Sequence, residues 1–293
     1  MKGIIIRIGK RWGIIVISIV LLFCLFAAIG FYRAFSLTVT RYQVESTAFS
    51  QPLTIVQLSD LHGCEYGENN EQLIAAVANA EPDLILMTGD IINRDAAEAE
   101  LEATLQLTEA LTKLAPVYFS WGNHEVEYQL SHGDSFFSAM EMTGVKMLDQ
   151  QYDEIELAGQ RIRIGGIYGY VLSSQIQNGP EQEFMQDFTN TALPTILLCH
   201  MPEGLLSYGS IDDWDVDVVF SGHVHGGQIR LPLIGGLYDP ETGWFPKYSK
   251  GVFQRSGSTV ILSAGLGSSE RIPRFNNPPE LIVVSIGPST NNS

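Results

Sequence analysis

Three cysteines in 293 residues, Cys24, Cys64 and Cys199, are too few to staple a fold. They exclude a disulfide framework, and no four-cysteine or paired-cysteine, paired-histidine spacing is present, which argues against a structural zinc module. Cys64 and Cys199 read as small buried thiols, with a bridge between them left open. Basic residues are scarce beyond the N-terminus. Residues 1–50 carry Lys2, Arg7, Lys10, Arg11, Arg33 and Arg41 against Glu45. The rest of the chain holds 11 basic and 32 acidic side chains, a balance of −21. That excludes a protein that covers long nucleic acid, which demands cationic cover of the phosphates. It suits a protein that holds divalent cations, whose charge offsets part of the excess locally. The chain also lacks internal repeats.

It has one long apolar run. Residues 13–32 carry no charge, and Ser18 and Cys24 are the main polar interruptions. At ~1.5 Å per residue a helix of this length covers the ~30 Å hydrocarbon core of a bilayer. Lys2, Arg7, Lys10 and Arg11 precede the run, whereas Arg33 and Arg41 come after it. That bias predicts a cytoplasmic N-terminus and an extracytoplasmic main domain. An uncleaved single-span anchor is expected, with a signal peptide cleaved after Ala28-Ile29-Gly30 as its rival.

Beyond residue 50, apolar strand-like runs alternate with helical periodicity. Strands are expected at 53–58, 84–88, 117–121, 195–199 and 218–221, and helices at 70–80 and 96–114. This predicts a parallel sheet with covering helices. After residue 147 the texture changes to a hairpin (152–157 with 161–166). Shorter strands come later at 228–231, 251–255, 259–263 and 281–286. Two sheets packed face to face with helices outside both is the simplest assembly.

Each of the five apolar runs ends in ligand-type residues. They are Asp60-Leu61-His62, Gly89-Asp90, Gly122-Asn123-His124-Glu125, His200 and Gly222-His223-Val224-His225. The carboxyl ends of strands in an open α/β sheet lie along one edge, where ligands bind. Taken alone, Gly-Asp after a strand is an ordinary turn and Asp-x-His is weak. All five together, in order, are much more specific. Asp60, His62, Asp90, Asn123, His200, His223 and His225 are the candidate metal ligands. Asp90 can serve two cations, because a carboxylate has two oxygens with spare lone pairs. Mixed nitrogen and oxygen donors favour manganese, with iron or zinc as alternatives, over calcium or magnesium. Two such ions can activate hydroxide and hold both ends of an in-line displacement at phosphorus. His124 is the candidate catalytic residue, steadying a phosphoryl oxygen or protonating the leaving group. Glu125 either orients His124 or caps the helix after it.

These five blocks resemble the signature of the calcineurin-like metallophosphoesterase superfamily over residues 52–287. The resemblance implies a four-layer α/β/β/α sandwich. It places Asp60, His62, Asp90 and His225 on one metal, Asp90, Asn123, His200 and His223 on the other, and makes His124 catalytic. Residues 226–232 and 274–280 are similar to its membrane-associated bacterial branch, which includes enzymes resembling UDP-diacylglucosamine pyrophosphatases.

The expected organisation is a basic N-terminus (1–12), a transmembrane anchor (13–32), a linker and first strand (33–50), a metallophosphoesterase domain (51–287) and a disordered tail (288–293). The expected function is membrane-anchored hydrolysis of phosphate monoesters, diesters or pyrophosphates, including lipid- or envelope-linked ones. No protein partner is evident. A non-catalytic metal-binding scaffold and a small-nucleotide phosphodiesterase are the alternatives. Substrate choice is assigned to the loops 172–186 and 233–250.

Overall fold

Strands covered on both faces must be apolar along their whole length, and the central runs of this chain become such strands. The computed structural model describes residues 2–169, 180–239, 242–268 and 273–288. Residues 289–293 of the tail and most of the 172–186 loop therefore lie outside the described residues. In chain order the first strands are β1 (Thr38–Glu45), β2 (Leu53–Leu58), β3 (Leu84–Thr88), β4 (Val117–Ser120) and β5 (Lys146–Leu148). The hairpin β6 (Gln151–Leu157) and β7 (Gln160–Ile167) leads to β8 (Thr195–Cys199) and β9 (Val218–Ser221). Four two-residue strands come next: β10 (Arg230–Leu231), β11 (Gly235–Gly236), β12 (Tyr238–Asp239) and β13 (Gly243–Trp244). The series closes with β14 (Gly251–Arg255), β15 (Ser258–Leu262) and β16 (Glu280–Gly287).

One sheet has the order β1-β16-β2-β3-β4-β5 and the other β14-β15-β9-β8-β7-β6. The strands β2 to β5 run parallel, as do β7, β8, β9 and β15. Between the sheets lies one core, with Ile55, Leu86 and Tyr118 meeting Ile164, Leu198 and Phe220. A second core packs α2 (Glu71–Ala78), α3 (Glu98–Thr112) and α5 (Ser135–Met142) on the first sheet through Leu73, Leu107, Leu111 and Met140. A third packs α6 (Pro180–Thr189) on the second sheet through Met185 and Phe188. The architecture is the four-layer α/β/β/α sandwich.

Local differences from the expected elements have local causes. Asn69 and Asn70 adopt left-handed backbone (φ 53° and 61°), so α2 starts at Glu71 rather than at residue 70. Gln228 (φ 50°) breaks the strand expected at 228–231, which shrinks to β10. Ala158 and Gly159, both at positive φ, form the two-residue turn of the β6–β7 hairpin, where such values match the strand twist. Cys64 and Cys199 are both free thiols.

The first helix, α1, covers Lys2–Arg33. Its Trp12–Arg33 portion is 22 residues with mean hydropathy 3.1 and is almost wholly outside the protein core. It is long and apolar enough to cross a membrane, and a signal sequence meets the same description.

Candidate metal centre

The parallel strands β2, β3 and β4 of one sheet and β8 and β9 of the other deliver their trailing loops to a common edge. Asp60 and His62 follow β2, Asp90 follows β3, and Asn123 and His124 open α4 (Asn123–His132) after β4. His200 follows β8, and His223 and His225 follow β9. The structure gathers seven of these side chains around one edge, six of them predicted ligands and the seventh, His124, the predicted acid, in three overlapping groups. They are Asp60, His62 and His225; His62, Asp90 and His124; and Asp90, His200 and His223, each with donor atoms within 4.8 Å of one another.

Asp90 links two of the groups. Its Oδ2 lies 3.3 Å from His200 Nε2 and 3.7 Å from His62 Nε2. Its Oδ1 accepts the His124 backbone N–H at 2.9 Å. Asp60 Oδ1 lies 3.7 Å from His225 Nε2 and accepts the His223 N–H. His62 Nε2 and His225 Nε2 are 3.3 Å apart. Asn123 precedes His124 at the start of α4, and its buried Oδ1 has no hydrogen-bond partner.

The backbone here is strained in a way that serves the site. Asp60, His62, Asp90, His223 and His225 all have φ between 47° and 71°. Each such non-glycine conformation costs ~1–3 kcal/mol and persists only where the surroundings enforce it. Enforcement is visible at Gly222, where any Cβ would collide with Ser59 Oγ and Asp60 Oδ2. Only glycine lets the two loops close.

Burial sets the charge states. His62 and His223 are pushed down to about 3 by desolvation, and His225 well below its ordinary value for the same reason. These imidazoles are neutral, the form that donates a lone pair to a metal. Asp60 is raised to about 6 chiefly by burial, with the Asp90 charge adding to the rise. At His200 burial opposes protonation, but the adjoining Asp90 carboxylate prevails and lifts the ring to about 10. His200 Nδ1 meets Thr88 O at 2.7 Å, and donation there reserves Nε2 for the Asp90 side. A proton on Nε2 thus holds the place that a cation would take.

His124 Nδ1 accepts the Arg94 N–H at 3.1 Å, so the neutral ring carries its proton on Nε2. Glu125 spends its carboxylate on the backbone. Its Oε2 accepts the N–H groups of Asp90 (2.7 Å) and Gly122 (2.8 Å), and its Oε1 those of Ile91 (2.7 Å) and Ile92 (3.1 Å). It therefore caps α4 and clamps the Asp90 loop, a joint role that goes beyond both alternatives read from the sequence. Sequence reasoning also missed Gln57, fully buried on β2, whose Nε2 donates to Thr88 Oγ1 and Ser221 O and ties the two sheets beneath the site. Its signal was one amide in an otherwise apolar run. Asn277 Nδ2 likewise holds the His225 carbonyl at 2.7 Å. His132 stacks on Tyr128 at the end of α4, outside the cluster.

A family model for calcineurin-like phosphoesterases matches residues 53–227, which contain every one of these ligand-type side chains. The chain belongs to the calcineurin-like phosphoesterase family. It is 30% identical over 79% of its length to an uncharacterized metallophosphoesterase of Bacillus subtilis, YkuE, covering 78% of that protein. It is 25% identical over 80% of its length to the phosphodiesterase YaeI of Escherichia coli, covering 82% of it. Among solved structures, purple acid phosphatase PPD1 from yellow lupin aligns over 75% of this chain and 45% of its own, at 14% identity and a TM-score of 0.48. The protein is thus a metal-dependent phosphoester hydrolase, and its histidine and aspartate clusters point to a dinuclear centre.

The donor set fits such a centre. Asn123 Oδ1 is buried without a hydrogen-bond partner, which is costly unless something else engages it. Neutral imidazoles, carboxylates and one amide oxygen are the mixture that first-row divalent ions accept.

Proposed function

We propose that the chain is a membrane-anchored hydrolase of phosphate mono- or diesters or pyrophosphates, with lipid- or envelope-linked substrates. The observation that carries the reading is the placement of Asp90 Oδ2 between His62 and His200. Asp60, His62, Asp90 and His225 would hold one cation, and Asp90, Asn123, His200 and His223 the other. Manganese suits this set best, with iron or zinc as alternatives. When bound, the pair supplies Lewis acidity to phosphoryl oxygens and makes water acidic enough to attack at neutral pH.

The chain's own residues then do the rest. Asp90, its Oδ1 already committed to His124 N–H, offers Oδ2 toward both groups. Glu125 keeps that loop in register. His124, with its proton on Nε2, donates to a phosphoryl oxygen or to the departing alkoxide. His124→Ala should lower kcat on bis(p-nitrophenyl) phosphate by ~10²–10⁴-fold while leaving two metals bound. Parallel metal analysis and kinetics check this, and unchanged kcat would remove His124 from the mechanism. Chelation of the full-length protein should abolish hydrolysis, and manganese should restore it better than calcium. Activity that survives complete metal removal would contradict the reading.

The anchor reading, residues 13–32 between a basic 1–12 segment and the 33–50 linker and first strand, rests on composition. Trp12 and Tyr32 bracket the run, as interfacial aromatics do. The flanking charges favour a domain (51–287) on the extracytoplasmic side. Lipid-linked substrates are inferred from proximity. A mostly apolar cavity of about 400 Å³, lined by Gly227, Gln228, Ile229, Leu237, Tyr238 and Trp244, also begins two residues beyond His225.

A further inference from the structure

The last turns of α1 do not hang free of the domain. Phe275 packs its ring edge-on against Phe26 (5.4 Å) and Phe31 (5.3 Å). It occupies the space above Gly30, where any Cβ would strike the ring. Asn276 N–H donates to Gly30 O at 3.0 Å, and Arg33 Nη1 donates to Asn276 Oδ1 at 3.2 Å. Phe26 precedes Arg33 by seven residues, or about 10 Å along a helix. Phe275 therefore sits level with the final two turns of the apolar run.

A hydrogen-bonded ladder extends sideways from Phe275. Arg230 N–H donates to Phe275 O (2.9 Å), Leu237 N–H to Ile229 O (2.8 Å) and Phe245 N–H to Leu237 O (2.8 Å). Ile229 bridges Phe275 directly. Three strand spacings, about 15 Å in all, separate Phe245 from Phe275. This ladder carries Leu233, Ile234, Trp244 and Phe245, all more than half exposed. So many large apolar side chains standing in water in one short segment signal a contact surface.

We infer that Leu233, Ile234, Trp244 and Phe245 enter the bilayer beside α1, as a second membrane contact that seats the metal edge against the lipid surface. The inference rests on the reading of α1 as a span. The occupant is lipid rather than a protein partner because the patch is joined to the membrane-level turns of α1 by continuous hydrogen bonds. Exposed aromatic and aliphatic tips of this kind are the composition of interfacial anchors. The seat acts on the site through a short path, because Gln228 and Ile229 lie just past His225 and Asn277 holds the His225 carbonyl.

The test uses the full chain with Cys24→Ser and Cys64→Ser, in phosphatidylethanolamine–phosphatidylglycerol vesicles. Cys199 stays, since burial makes it unreactive and pushes its thiol up. Nitroxide labels are placed singly at Ser18→Cys, Leu233→Cys, Phe245→Cys and Gln254→Cys. Gln254 is exposed on β14, at the end of the sheet away from the metal edge. Labels at 18, 233 and 245 should be reached by oxygen in preference to a water-soluble nickel chelate, and the label at 254 by the chelate. If 233 and 245 behave like 254 while 18 lies in lipid, the second contact is wrong and the span stands. That is also the result expected of a protein-binding patch. If 18 is itself aqueous, both readings fail.

Discussion

Asp90→Asn should lower phosphodiester hydrolysis by about three orders of magnitude, equivalent to roughly 4 kcal/mol of lost transition-state stabilisation, and should reduce bound metal. The effect is large because one side chain faces both halves of the site, with Oδ2 3.3 Å from His200 and 3.7 Å from His62. An amide keeps an oxygen to accept the His124 N–H, so the α4 start is retained. It loses the charge that two cations would share and that holds His200 protonated. Folding, followed by circular dichroism, should therefore survive while kcat and metal content fall together. A variant with normal metal content and near-normal kcat would show that Asp90 is only a turn residue.

Glu125→Gln should be strongly destabilising although the side chain binds no metal. Four backbone N–H groups converge on its two carboxylate oxygens, and the residue is fully buried. Glutamine must aim its NH₂ at two of those donors. Two charge-assisted bonds are lost and two N–H groups are left facing a donor, at a cost of about 3 kcal/mol or more. Thermal melting of the metal-stripped chain should show the loss. Kinetics should show it as well, because the Asp90 loop and the α4 start are pinned by the same carboxylate. A melting temperature within error of the parent chain would refute the clamp.

Much of this molecule is legible in its sequence. The runs 53–58, 84–88, 195–199 and 218–221 are strands at the expected residues, since strands buried on both faces leave little room for polar substitution. The ligand types at their ends are legible because one edge collects the residues just beyond parallel strands. The hidden part depends on geometry that a one-dimensional pattern does not carry. Nothing in the letters Asp60, His62 or Asp90 fixes a left-handed backbone, because even these residue types, enriched there among non-glycines, adopt it only in a minority of cases. Glu125 reads as a helix cap or an orienter of His124, and its reach to Ile91 and Ile92 requires the packing of two loops. The two-residue strands from 230 to 244 are too short to show alternation. The docking of Phe275 on Gly30 joins residues 245 positions apart.

The central claim is that one carboxylate at position 90 serves two cations. Manganese titration of the purified full-length chain, monitored by electron paramagnetic resonance and elemental analysis, tests it most directly. Two equivalents per chain should bind and give a spin-coupled signal, and the coupling should vanish in Asp90→Asn. Saturation at one equivalent, with the six-line spectrum of an isolated ion, would contradict the account.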